Sequence, residues 1–200
     1  MKAKPEIREK RIKEINQLYE LIIKDNDNYK EDLYNILKET FNKQKVIDSI
    51  YAHLEKILSL ILKEIKKIYK DYDKEKIIDL VDLLYDEDGK SLDERISQWF
   101  DKFDEEHLMS LFYHLCLIID TESFRLVPEV IEEKTDAEYV EIISDGCDNC
   151  SGSCEEWADG NVYHEDDIEL PPYHPNCCCE AIFYKEDEVE EDIIDERNNI

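Results

Sequence analysis

The chain has 200 residues, of which 42% are hydrophobic, so it is long enough to bury the core of one helical domain and a small additional module. Its four glycines and five prolines are too few for a loop-rich all-β protein, and no apolar run approaches the roughly 20 residues of a membrane span. The first residues lack the apolar segment of a secretory signal, so we expect a soluble protein made in the cytosol.

The net charge of -27 is concentrated in the C-terminal third of the chain. Residues 129–200 contain 24 acidic and three basic residues, a net charge of -21. A field of this sign repels nucleic-acid phosphates and anionic membranes, so we expect no membrane contact and no strong direct contact with DNA. It suits a basic protein partner, a bound cation, or solubility alone.

The first 71 residues have the apolar spacing of long helices. Pro5 fits the first turn of a helix that continues through Ile12–Ile22 at spacings of three and four residues. Asp25–Asn28 indicates a turn, and a second apolar stripe follows over residues 29–41. The third stripe, Ile47–Tyr69, is the most regular, and a stripe of this length buries against other helices.

Further helices are predicted before a change in sequence character. A short one covers residues 77–84, and Ser91 and Glu94 have the spacing of a capping box at the start of the next. A longer helix is predicted from about Glu105 to Leu126, with Pro128 just past its end.

After this proline the apolar residues become sparse. Tyr139–Ile143 is a short β-prone run, whereas residues 147–184 have little helical periodicity and too few apolar residues to build a core of their own. The acidic tail of residues 185–200 is predicted to be disordered or an exposed helical end. The predicted fold is therefore mainly α, with a helical bundle or long antiparallel helices over residues 1–128 and a small α+β lobe over residues 129–184.

Six of the seven cysteines lie inside this lobe, in a stretch of 33 residues. Such a density favours metal binding in a chain with no secretion signal. A C-x-x-C pair and a later His-x-x-Cys group together supply a tetrahedral site, most simply a structural Zn²⁺ site that orders the lobe. The predicted ligands are Cys147, Cys150, His174 and Cys177, with Cys179 as the alternative fourth ligand. Cys154 and Cys178 are surplus to such a site. No position is left open for water, so we expect no enzymatic activity; a cluster of disulfides is the alternative.

The same residues resemble a known family. The C-x-x-C pair, a later Asp-Gly and the run P-P-Y-H-P-N-C-C-C resemble the C-terminal signature of the phage head morphogenesis family, the minor head (minor capsid) proteins of tailed bacteriophages. The matching positions are Cys147, Cys150, Asp159-Gly160 and Pro171 to Cys179, and the family's upstream Arg-Thr-Glu corresponds to Asp120-Thr121-Glu122. Cys178 and Asp120 stand where the family has arginine.

The resemblance implies a structural protein present in a few copies inside the procapsid and attached near the portal. It also implies a part in capsid assembly or genome delivery, with portal, scaffold or coat protein as the partner. Such a chain resides in the host cytoplasm during assembly and then in the virion, and its helices are able to support an oligomer.

Two other functions remain open from the sequence. The charge of -27 is compatible with an acidic DNA-mimic or inhibitor that binds a basic protein. A zinc-dependent hydrolase or nuclease requires an open metal site with a nearby base.

Overall fold

The computed structural model describes residues 1–76, 78–84, 89–144, 153–172, 177 and 179–190. Within these residues, four longer helices make up most of the protein, and a small antiparallel sheet lies towards the C-terminal end. The helices are α1 (Pro5–Thr40), α2 (Lys43–Ile68), α3 (Leu80–Leu83), α4 (Leu92–Lys102), α5 (Leu108–Lys134) and α6 (Ser153–Trp157). The strands are β1 (Lys2–Ala3), β2 (Tyr139–Ser144), β3 (Val162–His164), β4 (Cys179–Tyr184) and β5 (Val189–Glu190). The prediction of a mainly α fold with a small C-terminal α+β lobe is confirmed.

Helices α1 and α2 form an antiparallel hairpin. Phe41 ends α1 in the left-handed conformation, with a φ of 37°, and the side chain of Asn42 caps α2 by accepting a hydrogen bond from the Lys45 amide at 3.0 Å. The hydroxyl groups of Tyr29 and Ser49 are hydrogen-bonded across the hairpin at 2.8 Å. The most regular predicted stripe is thus α2, and it packs against α1.

The predicted turn at Asp25–Asn28 is wrong, because α1 continues through it. Asn26 is fully buried, and its side-chain amide donates to Asp120 of α5 at 3.1 Å. Its side-chain oxygen accepts from Nε2 of His53 in α2 at 2.8 Å and from the hydroxyl of Ser123 in α5 at 3.2 Å. These tertiary hydrogen bonds satisfy the polar side chain that would otherwise favour a turn, and they fix three helices relative to one another.

We expect His53 to make the protein less stable as the pH falls. Burial lowers the pKa of His53 from its ordinary value of 6.5 to about 4, so between these values the unfolded chain binds a proton that the folded chain does not. The stability contributed by neutral His53 is therefore complete above about pH 6.5 and is lost as the pH falls towards 4. Between pH 7 and pH 4.5 the loss should be about 2 kcal/mol.

The measurement is urea unfolding at both pH values, for the wild-type protein and the His53→Gln variant. Glutamine keeps a donor for Asn26 but does not titrate, so the variant should lose about 2 kcal/mol less stability over this range. Equal losses in the two proteins would contradict the assignment.

Helix α5 packs antiparallel to α1 in the same core. The rings of Tyr34 and Phe112 lie edge to face at 5.4 Å, and those of Tyr19 and Phe124 do so at 5.3 Å, so the two helices run in opposite directions. Along its inner face α5 carries fully buried residues at four-residue spacing, namely Leu111, Leu115 and Ile119.

Helix α4 begins as predicted. The Ser91 hydroxyl accepts a hydrogen bond from the Glu94 amide at 3.3 Å, and the Glu94 carboxylate accepts one from the Ser91 amide at 2.8 Å. This reciprocal pair is the capping box. The short helix predicted over residues 77–84 corresponds to α3.

The predicted end of the long helix before Pro128 is wrong. Helix α5 continues to Lys134 with Pro128 inside it, and Val127, Val130 and Ile131 in the same turn are fully buried. An internal proline costs a helix about 3 kcal/mol, which the packing of this turn offsets. The predicted domain boundary at residue 128 therefore falls inside a continuous helix.

The sheet of the lobe has the strand order β3-β2-β4, with both pairs antiparallel. Ala181–Tyr184 of β4 are fully buried and belong to the same hydrophobic cluster as Ile15 and Leu18 of α1. Residues 147–184 were predicted to be unable to build a core of their own, and β4 is buried in a core that it shares with α1.

An ion pair between a half-exposed arginine and a buried glutamate attaches the lobe to α1. The Arg8 guanidinium donates to both carboxylate oxygens of Glu141 in β2, at 2.7 and 2.9 Å, and the Tyr184 hydroxyl donates to the same carboxylate at 3.1 Å. The Glu141 side chain is 1% exposed, whereas that of Arg8 is 43% exposed. The negative charge therefore depends on these two donors for its stabilisation.

Arg11 makes a second attachment one helical turn further along α1. Its guanidinium lies over the Tyr69 ring at 4.2 Å, donates to the carbonyl of Phe183 at 2.6 Å and pairs with Glu188 at 2.9 Å. Helix α1 is therefore bonded both to β4 and to the segment that follows it.

The beginning of the acidic tail is ordered, contrary to the prediction. Residues Glu186–Glu188 form a 3-10 turn, and β5 pairs antiparallel with β1 at the N-terminal end of the chain. The remainder of the predicted tail, residues 191–200, lies outside the described residues. No helix in the described ranges is both long enough and apolar enough to cross a lipid bilayer.

Candidate metal centre

Three cysteine thiols converge inside the lobe. The sulfur atoms of Cys154, Cys177 and Cys179 all lie within 4.8 Å of one another, and those of Cys154 and Cys177 are 3.9 Å apart. The three residues are 1%, 3% and 6% exposed. They are separate thiols, because a disulfide requires a sulfur–sulfur distance near 2.05 Å.

Two separate stretches of backbone supply the thiols. Cys154 lies on α6, Cys177 precedes β4, and Cys179 is the first residue of β4, where it pairs with Ser144 at the end of β2. An ion bound here would join α6 to the end of the sheet. Such a link would fix the short α6, which has only five residues and makes few helical hydrogen bonds of its own.

The spacing of the sulfur atoms suits a tetrahedral metal ion. With zinc–sulfur bonds of about 2.3 Å, two ligands of a tetrahedron are separated by about 3.8 Å. The distance of 3.9 Å between the sulfur atoms of Cys154 and Cys177 matches this edge. Two sulfur atoms at the outer limit of 4.8 Å would have to approach each other by about 1 Å. The cluster can therefore hold a metal ion without rearrangement of the fold.

Without a bound cation, the surroundings of the cluster favour the protonated form of the Cys179 thiol. Burial raises the pKa of the Cys179 thiol, and the neighbouring thiols of Cys154 and Cys177 raise it further, while a hydrogen bond with Ser144 lowers it. Thiolates are the metal-binding form, so a bound divalent ion would offset the cost of placing their charges together in a buried site.

The structure brings together only part of the predicted ligand set. Cys177 and Cys179 lie together in the cluster. The other predicted ligands, Cys147, Cys150 and His174, lie outside the described residues, as does Cys178. Cys154, which was predicted to be surplus, is the third member of the cluster. The sequence carried a signal for this role, because the three residues between Cys150 and Cys154 are within the spacing of zinc-ligand cysteine pairs.

A cavity of about 260 Å³ lies between the cluster and the helices. Cys177 and Pro172 line it on the side of the lobe, and Asp120, Thr121 and Phe124 line it on the side of α5. Asp120 and Thr121 of α5 therefore lie near Pro172 and Cys177 of the lobe.

Glu122 has a different environment from its neighbour Thr121. It is 2% exposed and pairs with Arg95 of α4 and with Arg125, the latter at 2.7 Å. These ion pairs give Glu122 a role in joining α4 to α5.

Cys116, the seventh cysteine, lies on α5 apart from the cluster and is half-buried. Burial raises its pKa to about 11, so the thiol stays protonated and unreactive at neutral pH.

Comparison with models of known protein families, with curated proteins and with solved structures finds no match for this chain.

Proposed function

We propose that this chain is a structural minor head protein of a tailed phage, in which a zinc ion held by cysteine thiolates fixes the C-terminal lobe. The observation that carries the proposal is the buried three-thiol cluster. Two of its members, Cys177 and Cys179, are the cysteine pair that ends the P-P-x-H-P-x-C-x-C run. These two cysteines of the run support the proposal, and Cys154 joins them from outside it.

Zinc is proposed because of the donor atoms. Thiolate sulfur favours zinc, copper(I) and iron–sulfur clusters over magnesium and calcium, and zinc accepts the tetrahedral arrangement without redox chemistry. The thiols are nearly inaccessible to solvent, which suits an ion that stabilises a fold rather than one that activates a water molecule.

The position of the cluster supports a role in assembly. The metal would hold α6 against β2 and β4, and β4 is packed on α1 through a continuous core. The lobe and the helices would then move as one body, which suits a protein that docks on portal, scaffold or coat protein through fixed surfaces.

The test is the protein content of purified phage particles. If the proposal is right, this chain is present in procapsids or mature heads of the phage that encodes it, and it stays with the particles after a wash in high salt. Its absence from both kinds of particle would overturn the phage assignment while leaving the metal site to be tested separately.

A further inference from the structure

Helix α5 has an exposed face without charged residues. Residues 108–119 contain no Asp, Glu, Lys or Arg, although 38% of the chain is charged. Met109 and Tyr113 are 62% and 57% exposed, and the half-buried Leu117 and Thr121 continue the same face at four-residue spacing. This face spans about 18 Å, or three helical turns.

A groove of about 390 Å³ runs beside this face, between α4 and α5. Trp99 of α4 lines it together with His114, Leu117 and Ile118 of α5. The rings of Trp99 and His114 are stacked with their centroids 3.7 Å apart. Burial lowers the pKa of His114, so its ring is neutral at neutral pH, and the groove is aromatic and apolar.

The charges that line and border the groove are unevenly distributed. Within the groove, Arg95 and Glu122 are paired with each other. Lys102 lies over the Trp99 ring at 4.8 Å. The border where α4 ends and α5 begins is acidic, with exposed carboxylates at Asp101, Asp104, Glu105 and Glu106, of which Asp104 contacts His107 at 2.8 Å.

We propose that this face binds the apolar side of an amphipathic helix from another protein, with basic residues of that helix against the acidic border. An apolar stripe three turns long with an adjacent groove matches the way one helix docks on another. The acidic border selects a basic partner. A second copy of this chain would bring another charge of -27 and its own acidic border, which disfavours self-association.

This inference goes beyond the proposed function and depends on neither the metal nor the capsid. Its probe is a synthetic peptide of about 18 residues with leucine and alanine on one helical face and lysine on the other. The matched peptide has glutamate in place of lysine. At about 150 mM salt the lysine peptide should bind the full-length protein at least tenfold more tightly than the glutamate peptide, as measured by calorimetry.

The charge of the variants distinguishes docking on this face from non-specific attraction of a basic peptide to an acidic protein. Tyr113→Glu makes the protein more acidic, so it would strengthen non-specific binding, whereas we expect it to weaken binding at least tenfold. Leu21→Glu is the matched control, since Leu21 is an exposed apolar residue of α1 at 42% exposure, and it should leave affinity within twofold. Met109→Glu provides a second variant in the proposed face.

A location-specific readout comes from tryptophan fluorescence. The chain has two tryptophans, so Trp157→Phe leaves Trp99 as the single emitter, and its emission should change on peptide binding. Unchanged or tighter binding by Tyr113→Glu and Met109→Glu, or an equal loss in Leu21→Glu, would overturn the proposal. So would a wild-type dimer that Tyr113→Glu dissociates, because the occupant would then be a second copy.

Discussion

Replacing Cys177 with serine should strongly destabilise the C-terminal lobe. Cys177 belongs both to the ligand set predicted from the sequence and to the buried thiol cluster. Structural zinc contributes on the order of 10 kcal/mol to the folding of small modules. Here β4 also shares a hydrophobic core with α1, so the metal supplies a smaller part of the stability of the lobe. We therefore expect a loss of about 5 kcal/mol, which corresponds to a fall in Tm of roughly 10–20 °C.

The matched control is Cys116→Ser. Cys116 is a half-buried thiol of α5 outside the cluster, so its replacement should cost only about 1 kcal/mol. A chelator should reproduce the effect of Cys177→Ser in the wild-type protein and add little in the variant. Circular dichroism and thermal unfolding provide the measurement. Equal effects of the two cysteine substitutions, together with no response to the chelator, would contradict a structural metal.

Arg8→Ala should destabilise the protein by about 3 kcal/mol, because it leaves the carboxylate of Glu141 buried without its ionic partner. Tyr184 still donates one hydrogen bond to that carboxylate, but a single neutral donor does not replace the guanidinium. Adding Glu141→Gln removes the buried charge. The double variant should therefore be more stable than Arg8→Ala alone by at least about 1 kcal/mol.

Lys10→Ala is the control for this prediction. Lys10 is 69% exposed and pairs with Glu14 at 3.6 Å in the same helix, so its removal should change the free energy of unfolding by less than about 0.5 kcal/mol. Chemical denaturation of the four proteins gives the comparison. If Arg8→Ala and Lys10→Ala are equally mild, the ion pair does not attach the lobe to α1.

Local patterns predicted the elements whose structure depends on nearby residues. The apolar stripe of α2, the capping box of Ser91 and Glu94 and the β-prone run of β2 are all found in the structure. Each depends on interactions within a few residues or on one apolar face, which the sequence displays directly.

The errors occurred where distant contacts outweigh local preference. Asn26 favours a turn in isolation, but hydrogen bonds to α2 and α5 keep it inside α1. Pro128 favours a helix end, but the buried residues around it keep α5 continuous. Strand β4 has only a short apolar run, and its burial depends on α1, which precedes it by more than 130 residues.

The candidate metal site was predictable as a region but not as a ligand set. The density of cysteines and the ending of the P-P-x-H-P-x-C-x-C run identified Cys177 and Cys179. The participation of Cys154 depends on α6, a helix of five residues whose position is set by packing.

The most direct test of the account is the zinc content of reduced, folded protein, determined by native mass spectrometry for the wild-type chain and for Cys154→Ser and Cys116→Ser. We predict that wild-type protein and Cys116→Ser retain bound zinc and that Cys154→Ser loses at least one zinc ion per chain. Well-folded wild-type protein without any bound transition metal, or Cys154→Ser with the full wild-type zinc content, would contradict it.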